Sequence, residues 1–334
     1  MNNNIGIKGL KNLGNTCYMN SALQCLFHIP YLQSKYLKKE LKKNIKLDKE
    51  LINEWIKLQN IMWSNNDIQE INPTNFLKIF IRKCNDENIY FESFNQNDSC
   101  DFLNIFIDLF HNSIKRQVNI SIEGEAITKY DHLKLKCIES WKKFFENNYS
   151  YIIEKFYSES VSFLTCPNCN YLTMNHEPLM EIILTQEDHY DCLYNCLDEY
   201  IKKSKIDNEW KCDECNHKVY PFKKIIFWNL SPILIFQIKQ YTLNGKLNKH
   251  IDFPIHLNLN DYCINSNNQN TKYKLYGMCI HDGSLNFGHY YANCYNYKND
   301  KWFRFNDENI SNISEEEILN ENPYCLFYFR ESLN

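Results

Sequence analysis

The 334-residue chain predicts an α+β fold, with helices concentrated in its first half and strands in its second. Three observations carry that reading. Apolar residues recur at i, i+3, i+4 and i+7 in several early segments, the spacing of one helix face. From about residue 225 the pattern changes to short β-branched and aromatic runs bounded by turn residues. Between these regions lie two C-x-x-C pairs, Cys166/Cys169 and Cys212/Cys215, a spacing suited to metal ligation.

Met19, Ala22, Leu23 and Leu26 mark the first helix, and Pro30 limits it, because proline disfavours helical geometry in the residue before it. Leu51, Trp55, Leu58 and Met62 mark another. Asn72-Pro73-Thr74 is a turn signal, after which a helix is expected to bury Phe76, Leu77 and Phe80. From Ser99, the residues Phe102, Phe106 and Leu109, with Leu103, Ile107 and Phe110, give a broad apolar helix face. Ser113 to Asp131 reads as a loop or hairpin, and Cys137 to Phe145 as a helix.

Ile225–Trp228 and Ile233–Ile238 read as strands separated by a Ser231-Pro232 turn. Tyr273 to Ile280, a run on to Tyr297, and Lys301 to Asp307 follow, the last two paired as a hairpin. A short helix, Glu315 to Leu319, precedes a closing strand from Pro323 to Arg330.

Net charge is -4, and no basic stripe is visible, so a nucleic-acid binder is not expected. No apolar run approaches the ~18 residues of a membrane span, and the N-terminus lacks a secretory pattern. Fifteen cysteines in such a chain argue for reduced thiols, metal ligands or a catalytic thiol rather than a disulfide framework. A soluble intracellular monomer is expected, in the cytoplasm with the nucleus as an added compartment.

Cys17 follows Asn15-Thr16, good capping residues, and opens the first helix. The partial positive charge of a helix start favours thiolate over thiol, which makes Cys17 a candidate nucleophile. The alternative is a buried, inert thiol. A thiol protease also needs a base and a third group that orients it. His289 and Asn306, on adjacent antiparallel strands, suit those roles, with Asp307 as the alternative orienter; a structural histidine is the competing reading. His281 reads as a loop support. Asp98 sits where a helix N-cap belongs, with Asp101 placed like the partner of a capping box.

Gly9-Leu10, Asn12 to Ser21 and Leu23-Gln24 together resemble the cysteine box of the ubiquitin-specific proteases, papain-like deubiquitinating enzymes. Gly288-His289-Tyr290 with Trp302-x-x-Phe305-Asn306-Asp307 resembles the histidine box of the same family. The resemblance spans about Gly9 to Arg330. It implies a papain-like cysteine protease with a helical thumb (about 5–155), zinc-ribbon β fingers (156–230) and an antiparallel β palm (231–334) in one catalytic domain. Strands 161–165, 179–185 and 218–228 would be tied at the fingertip.

The resemblance further implies roles for individual residues. Cys17 is the nucleophile, His289 the base and Asn306 the orienting residue, with Asp307 as second support. Asn12 matches the oxyanion-hole side chain; by itself it reads as a turn residue. Gln96, Asp98 and Asp101 match the segment whose carboxylates meet the arginine-containing tail of ubiquitin, a chemistry suited to charge-assisted bonds. Cys100 stands where the family often has His or Gln. Gly288 would leave room for a thin Gly-Gly tail, with Tyr290 beside it. Cys166, Cys169, Cys212 and Cys215 would hold one structural Zn2+, four thiolates leaving no open position; Cys192 and Cys196 read as helix residues. The implied partners are ubiquitin and ubiquitinated proteins. The implied activity is hydrolysis after the C-terminal glycine of ubiquitin; the alternative is a catalytically silent ubiquitin-binding scaffold of the same fold.

Overall fold

The computed structural model describes residues 4–42, 49–92, 95–242, 245–247, 249–284 and 287–331. Leu285 and Asn286, in the loop expected before His289, lie outside them, as do residues 43–48 of the charged helical region.

The first helix, Cys17–Phe27, is buried along its whole length. It lies between the other N-terminal helices and the main sheet. Its buried amide side chains are anchored through their donors: Asn20 Nδ2 donates to Asp307 Oδ1 at 2.7 Å, and Gln24 Nε2 donates to the Lys8 carbonyl at 2.8 Å. Helices Glu50–Met62, Thr74–Asp86 and Ser99–Asn112 surround it, close to the expected positions. Their core is aromatic. The Trp55 ring stacks on Phe27 at 4.6 Å and meets Phe106 and Phe110, and its indole N–H donates to the Leu32 carbonyl at 3.2 Å.

Among the described residues the main sheet has eight strands. Along it run Asn309–Ile313, Lys301–Asn306, Gly288–Asn296, Lys272–Gly283, Pro323–Arg330, Ile233–Lys239 and Ile182–Thr185, with His256–Asn258 paired to Lys272–Gly283. The chain's last strand is inserted between two earlier ones, antiparallel to both. The continuous apolar character of Ile233–Lys239 follows from burial on both faces. Ile233 and Ile235 join the core under the helices, while Leu234, Phe236 and Ile238 face a second core with Leu193 and Leu197.

The region of the C-x-x-C pairs differs in detail from the expectation. A four-stranded sheet is ordered Leu172–Leu179, Ser158–Thr165, Phe222–Asn229, Ser204–Lys205. Ile182–Thr185, expected in this excursion, instead pairs parallel with Ile233–Lys239 in the main sheet. The physical reason is its burial pattern: Ile182 and Leu184 are apolar enough to enter the second core. The helix expected from Cys137 begins earlier and runs Lys129–Phe145. A capping box of Thr128 and Asp131 starts it, a signal readable in the sequence.

Gly9 is packed against the turn that follows Asn306. A Cβ there would lie 2.6 Å from the Glu308 carbonyl oxygen and 2.8 Å from that of Asp307. We expect Gly9→Ala to shift this backbone and lower stability by about 1–3 kcal/mol, the usual cost of overpacking. Urea unfolding checks this; an unchanged midpoint would mean that the turn yields freely.

Candidate active site

Cys17 is the first residue of its helix and only 4% exposed. The preceding Thr16 makes no side-chain cap to the helix. Its hydroxyl turns back to accept the Leu13 N–H at 2.9 Å, bracing the loop instead. The first-turn amides therefore face the sulfur: the N–H groups of Cys17 and Tyr18 interact with it, together with that of Tyr290 from the strand Gly288–Asn296. The expected lowering of the thiol pKa is overturned. Burial pushes the Cys17 thiol up, the negative charge of Asp307 adds to the rise, and the three amides oppose it without prevailing.

The Tyr290 amide ties the early sulfur to the late strand that carries His289, its neighbour in sequence. His289 Nε2 lies 2.6 Å from Asn306 Oδ1 and 3.8 Å from Asp307 Oδ2. Asn306 is thus the direct partner of the ring. Because its amide oxygen can only accept, this contact assigns the proton on His289 to Nε2 and leaves Nδ1 as the basic nitrogen.

Asp307 has a different task. Its backbone is left-handed, with φ 52°, an unusual state for a residue other than glycine. Its carboxylate accepts from Asn12 Nδ2 at 2.8 Å and Asn20 Nδ2 at 2.7 Å, and its carbonyl accepts the Leu10 N–H at 2.9 Å. Asn12 is held at both ends, because its Oδ1 also accepts the Gly14 N–H at 2.9 Å and the Thr16 N–H at 3.2 Å. The Asn12 amide nitrogen carries two hydrogens, and Asp307 uses one. Asn12 is therefore both a turn residue and an oriented donor. Asn20 was not singled out in the sequence; a polar residue on the Cys17 helix, three positions on, was the available signal.

The remaining candidates divide. Asp98 is the N-cap of Ser99–Asn112, accepting the Cys100 N–H at 2.7 Å, and its second oxygen accepts the Tyr324 hydroxyl. Asp101 gives its backbone N–H to that cap at 3.4 Å without the reciprocal bond of a capping box, and its side chain is exposed. Glu181, missed in the sequence, joins them: its Oε2 accepts from Asn104 Nδ2 at 2.9 Å. Partial desolvation, then the charge of Asp98, push the Asp101 carboxyl up, whereas Glu181 is pushed up by burial and then by Asp98 and Asp101, against its bond from Asn104. Gln96 Nε2 donates to the Gly288 carbonyl at 3.2 Å, linking this acidic group to the histidine strand.

Gly288 and Tyr290 have local reasons that the sequence did not reveal. A Cβ at Gly288 would lie 2.1 Å from His281 Nε2 and 2.8 Å from the Asp282 carbonyl oxygen. Tyr290 buries its ring against His281 at 4.4 Å and Tyr324 at 5.8 Å, so only its backbone faces Cys17. His281 is itself buried, and burial, then Lys246, push its pKa down. It packs; it does not compete with His289.

Cys166, Cys169, Cys212 and Cys215 converge, their sulfurs within 4.8 Å of one another. Cys166 and Cys215 are 3.8 Å apart, and Cys169 and Cys212 are 3.6 Å apart. Four thiolates at ~2.3 Å from Zn2+ have tetrahedral edges of about 3.8 Å, so the donor set fits that ion. Asn170 and Asn216, which follow the pairs, are left-handed with φ 58° and 57°, a conformation Asn tolerates well.

A family model described as ubiquitin carboxyl-terminal hydrolase matches residues 8–328. Ubiquitin carboxyl-terminal hydrolase Usp2 of Drosophila melanogaster is 29% identical over 340 residues, covering 97% of this chain and 35% of that protein. Ubiquitin carboxyl-terminal hydrolase 8 of Saccharomyces cerevisiae is 29% identical over 357 residues, covering 98% of this chain and 72% of that protein. The chain thus spans about a third of the first relative's length. Among solved structures, the SAGA Ubp8/Sgf11/Sus1/Sgf73 DUB module bound to ubiquitin aldehyde matches with TM-score 0.74 and 26% identity, covering 100% of this chain and 71% of that one.

A thiol held above its ordinary pKa stays protonated at neutral pH, and only thiolate is alkylated. Iodoacetamide labelling of Cys17, followed by mass spectrometry, should accelerate roughly tenfold per pH unit between 7 and 9. A plateau reached below pH 8 would contradict the raised thiol.

Proposed function

Because the chain belongs to the ubiquitin carboxyl-terminal hydrolase family, we propose that it is a cysteine-type deubiquitinase. It hydrolyses the peptide or isopeptide bond after the C-terminal glycine of ubiquitin, on proteins or chains that carry it. The observations that support this reading are the Tyr290 amide on the Cys17 sulfur, from the residue that follows His289, and the contact of the His289 ring with Asn306.

In the mechanism, His289 Nδ1 takes the Cys17 proton as the sulfur attacks the glycine carbonyl carbon. A buried thiol favours its neutral form, so this transfer is coupled to attack or to formation of an ion pair with the imidazolium. The carbonyl becomes an oxyanion, and the Cys17 N–H and the second Asn12 hydrogen are the donors for it. Collapse of that intermediate breaks the C–N bond, and His289 returns its proton to the leaving amine. A water then gives a proton to His289 and attacks the thioester, releasing the ubiquitin carboxylate and restoring the thiol.

Asp101 and Glu181 supply the carboxylates for cationic residues of the ubiquitin tail. Burial and the charge of Asp98 raise both carboxyls, and a guanidinium beside them would offset this by favouring their ionised forms. Asp98 contributes by holding the helix that presents Asp101. The four-cysteine knuckle takes one structural Zn2+, which supplies a cross-link and no open coordination position. The thumb, fingers and palm divide the chain at about residues 155 and 230, with Ile182–Thr185 lent to the palm. We place the protein in the cytoplasm and nucleus as a monomer; its fifteen free cysteines suit a reducing compartment.

Cys17→Ala should abolish hydrolysis of a ubiquitin C-terminal fluorogenic amide while keeping ubiquitin binding. Retained turnover would exclude Cys17 as nucleophile. A suicide probe made from ubiquitin should label the wild-type protein at Cys17; binding without labelling would favour a silent scaffold. Asn306→Ala should lower kcat by about 10²–10⁴-fold with little loss of stability, as expected when a base loses its orienting partner. Asp307→Ala should lower both kcat and the urea midpoint, because it leaves Asn12 and Asn20 without their acceptor. A purely kinetic loss at Asp307, larger than that at Asn306, would reverse the two roles.

A further inference from the structure

A second group of ligand-type side chains lies apart from both the catalytic residues and the cysteine knuckle. Cys137 comes from the helix Lys129–Phe145, Glu159 from the strand Ser158–Thr165 and His176 from the strand Leu172–Leu179. The two strands pair antiparallel, with Val161 opposite His176 and Glu159 two residues along on the same face. The helix covers that face. One donor atom from each of the three residues lies within 4.8 Å of the other two. All three are more than nine-tenths buried, with exposures of 0%, 5% and 8%.

These polar atoms are not satisfied by the protein. Glu159 Oε1 and both ring nitrogens of His176 have no hydrogen-bond partner. The His176 Nδ1 and Glu159 Oε1 atoms approach to 3.6 Å, which is beyond a hydrogen bond. Buried polar groups are nearly always paired, so three such atoms on two adjacent side chains, with a thiol directed at them, point to a shared ligand.

The donor set selects its class. A thiolate, an imidazole and a carboxylate together suit a borderline first-row divalent ion, Zn2+ above all. Bond lengths of ~2.0–2.3 Å require donors about 3.3–3.6 Å apart; the Glu159–His176 pair already meets this at 3.6 Å, and the Cys137 sulfur lies within 4.8 Å of both. Charge agrees as well. Burial, then the charge of Glu159, push the Cys137 thiol up, and burial pushes the Glu159 carboxyl up against the opposing pull of His176; a divalent cation would exchange the two acidic protons for its own two charges, leaving the site neutral. His176 also lines a surface cleft of about 450 Å³ between Lys136 and Lys143 of the helix and Met174 of the strand. That cleft gives an entry path and room for a water as fourth ligand.

We propose that Cys137, Glu159 and His176 form a second zinc site, which fastens the helix Lys129–Phe145 to the sheet beneath it. The site is independent of the cysteine knuckle and of the hydrolase reading. Full-length protein produced in zinc-supplemented medium and dialysed without chelator should carry one more zinc per chain than either Cys137→Ser or His176→Gln, measured by plasma mass spectrometry. Equal zinc in wild type and both variants would overturn the proposal. Should the variants lose their circular dichroism signal, wild-type crystals decide. An anomalous peak at the zinc edge among the three side chains supports the site; density there without anomalous signal marks a water and refutes it.

Discussion

The structure depends on one buried carboxylate. Asp307 accepts hydrogen bonds from Asn12 and Asn20, and its carbonyl takes the Leu10 N–H, so residues nearly three hundred positions apart are joined at a single turn. Hydrogen bonds to a charged group are worth about 1.5–3 kcal/mol each, and an acceptor stripped of its donors in the interior costs comparably. That energy holds the left-handed backbone of Asp307, which would otherwise relax. The same turn keeps Asn306 in contact with His289 and keeps Asn12 pointed. Orientation at the site is thus a by-product of closing the chain.

The sheet makes that closure possible. Helix Cys17–Phe27 lies on the strands Gly288–Asn296 and Lys272–Gly283, and the last strand is locked between two earlier ones. Side chains alternate between a core under the helices and a second core on the far face. A strand buried on both faces is costly to displace, because a slip of one residue would exchange the two apolar sets. His289 therefore sits on one regular element and Cys17 at the start of another, and the turn at Asp307 joins the two.

The acidic face beside the site follows a different logic. Asp98 spends its carboxylate on a helix cap and on Tyr324, both structural tasks. Asp101 and Glu181 are both raised first by burial and then by Asp98, and Asp101 adds to the rise at Glu181. Such an arrangement is destabilising when the groups are ionised: the folded state binds their protons more tightly than the unfolded chain does, so stability is present at low pH and declines as pH rises through the raised values. A cation beside these groups would reverse that balance by favouring their ionised forms.

Much of this was legible in the residues. The helix after Cys17, the pairing of the His289 and Asn306 strands and the convergence of two C-x-x-C pairs all depend on short-range rules of periodicity, hairpin closure and ligand spacing. What stayed hidden depends on partners remote in the chain. Asn20, Glu181 and the packing of Gly288 on His281 look unremarkable alone, because their meaning lies in what they touch. The Cys17 thiol shows the limit most clearly: its place at a helix start is local and was readable, but its proton affinity is decided by how deeply the sheet and helices bury it, and burial is a property of the assembled fold.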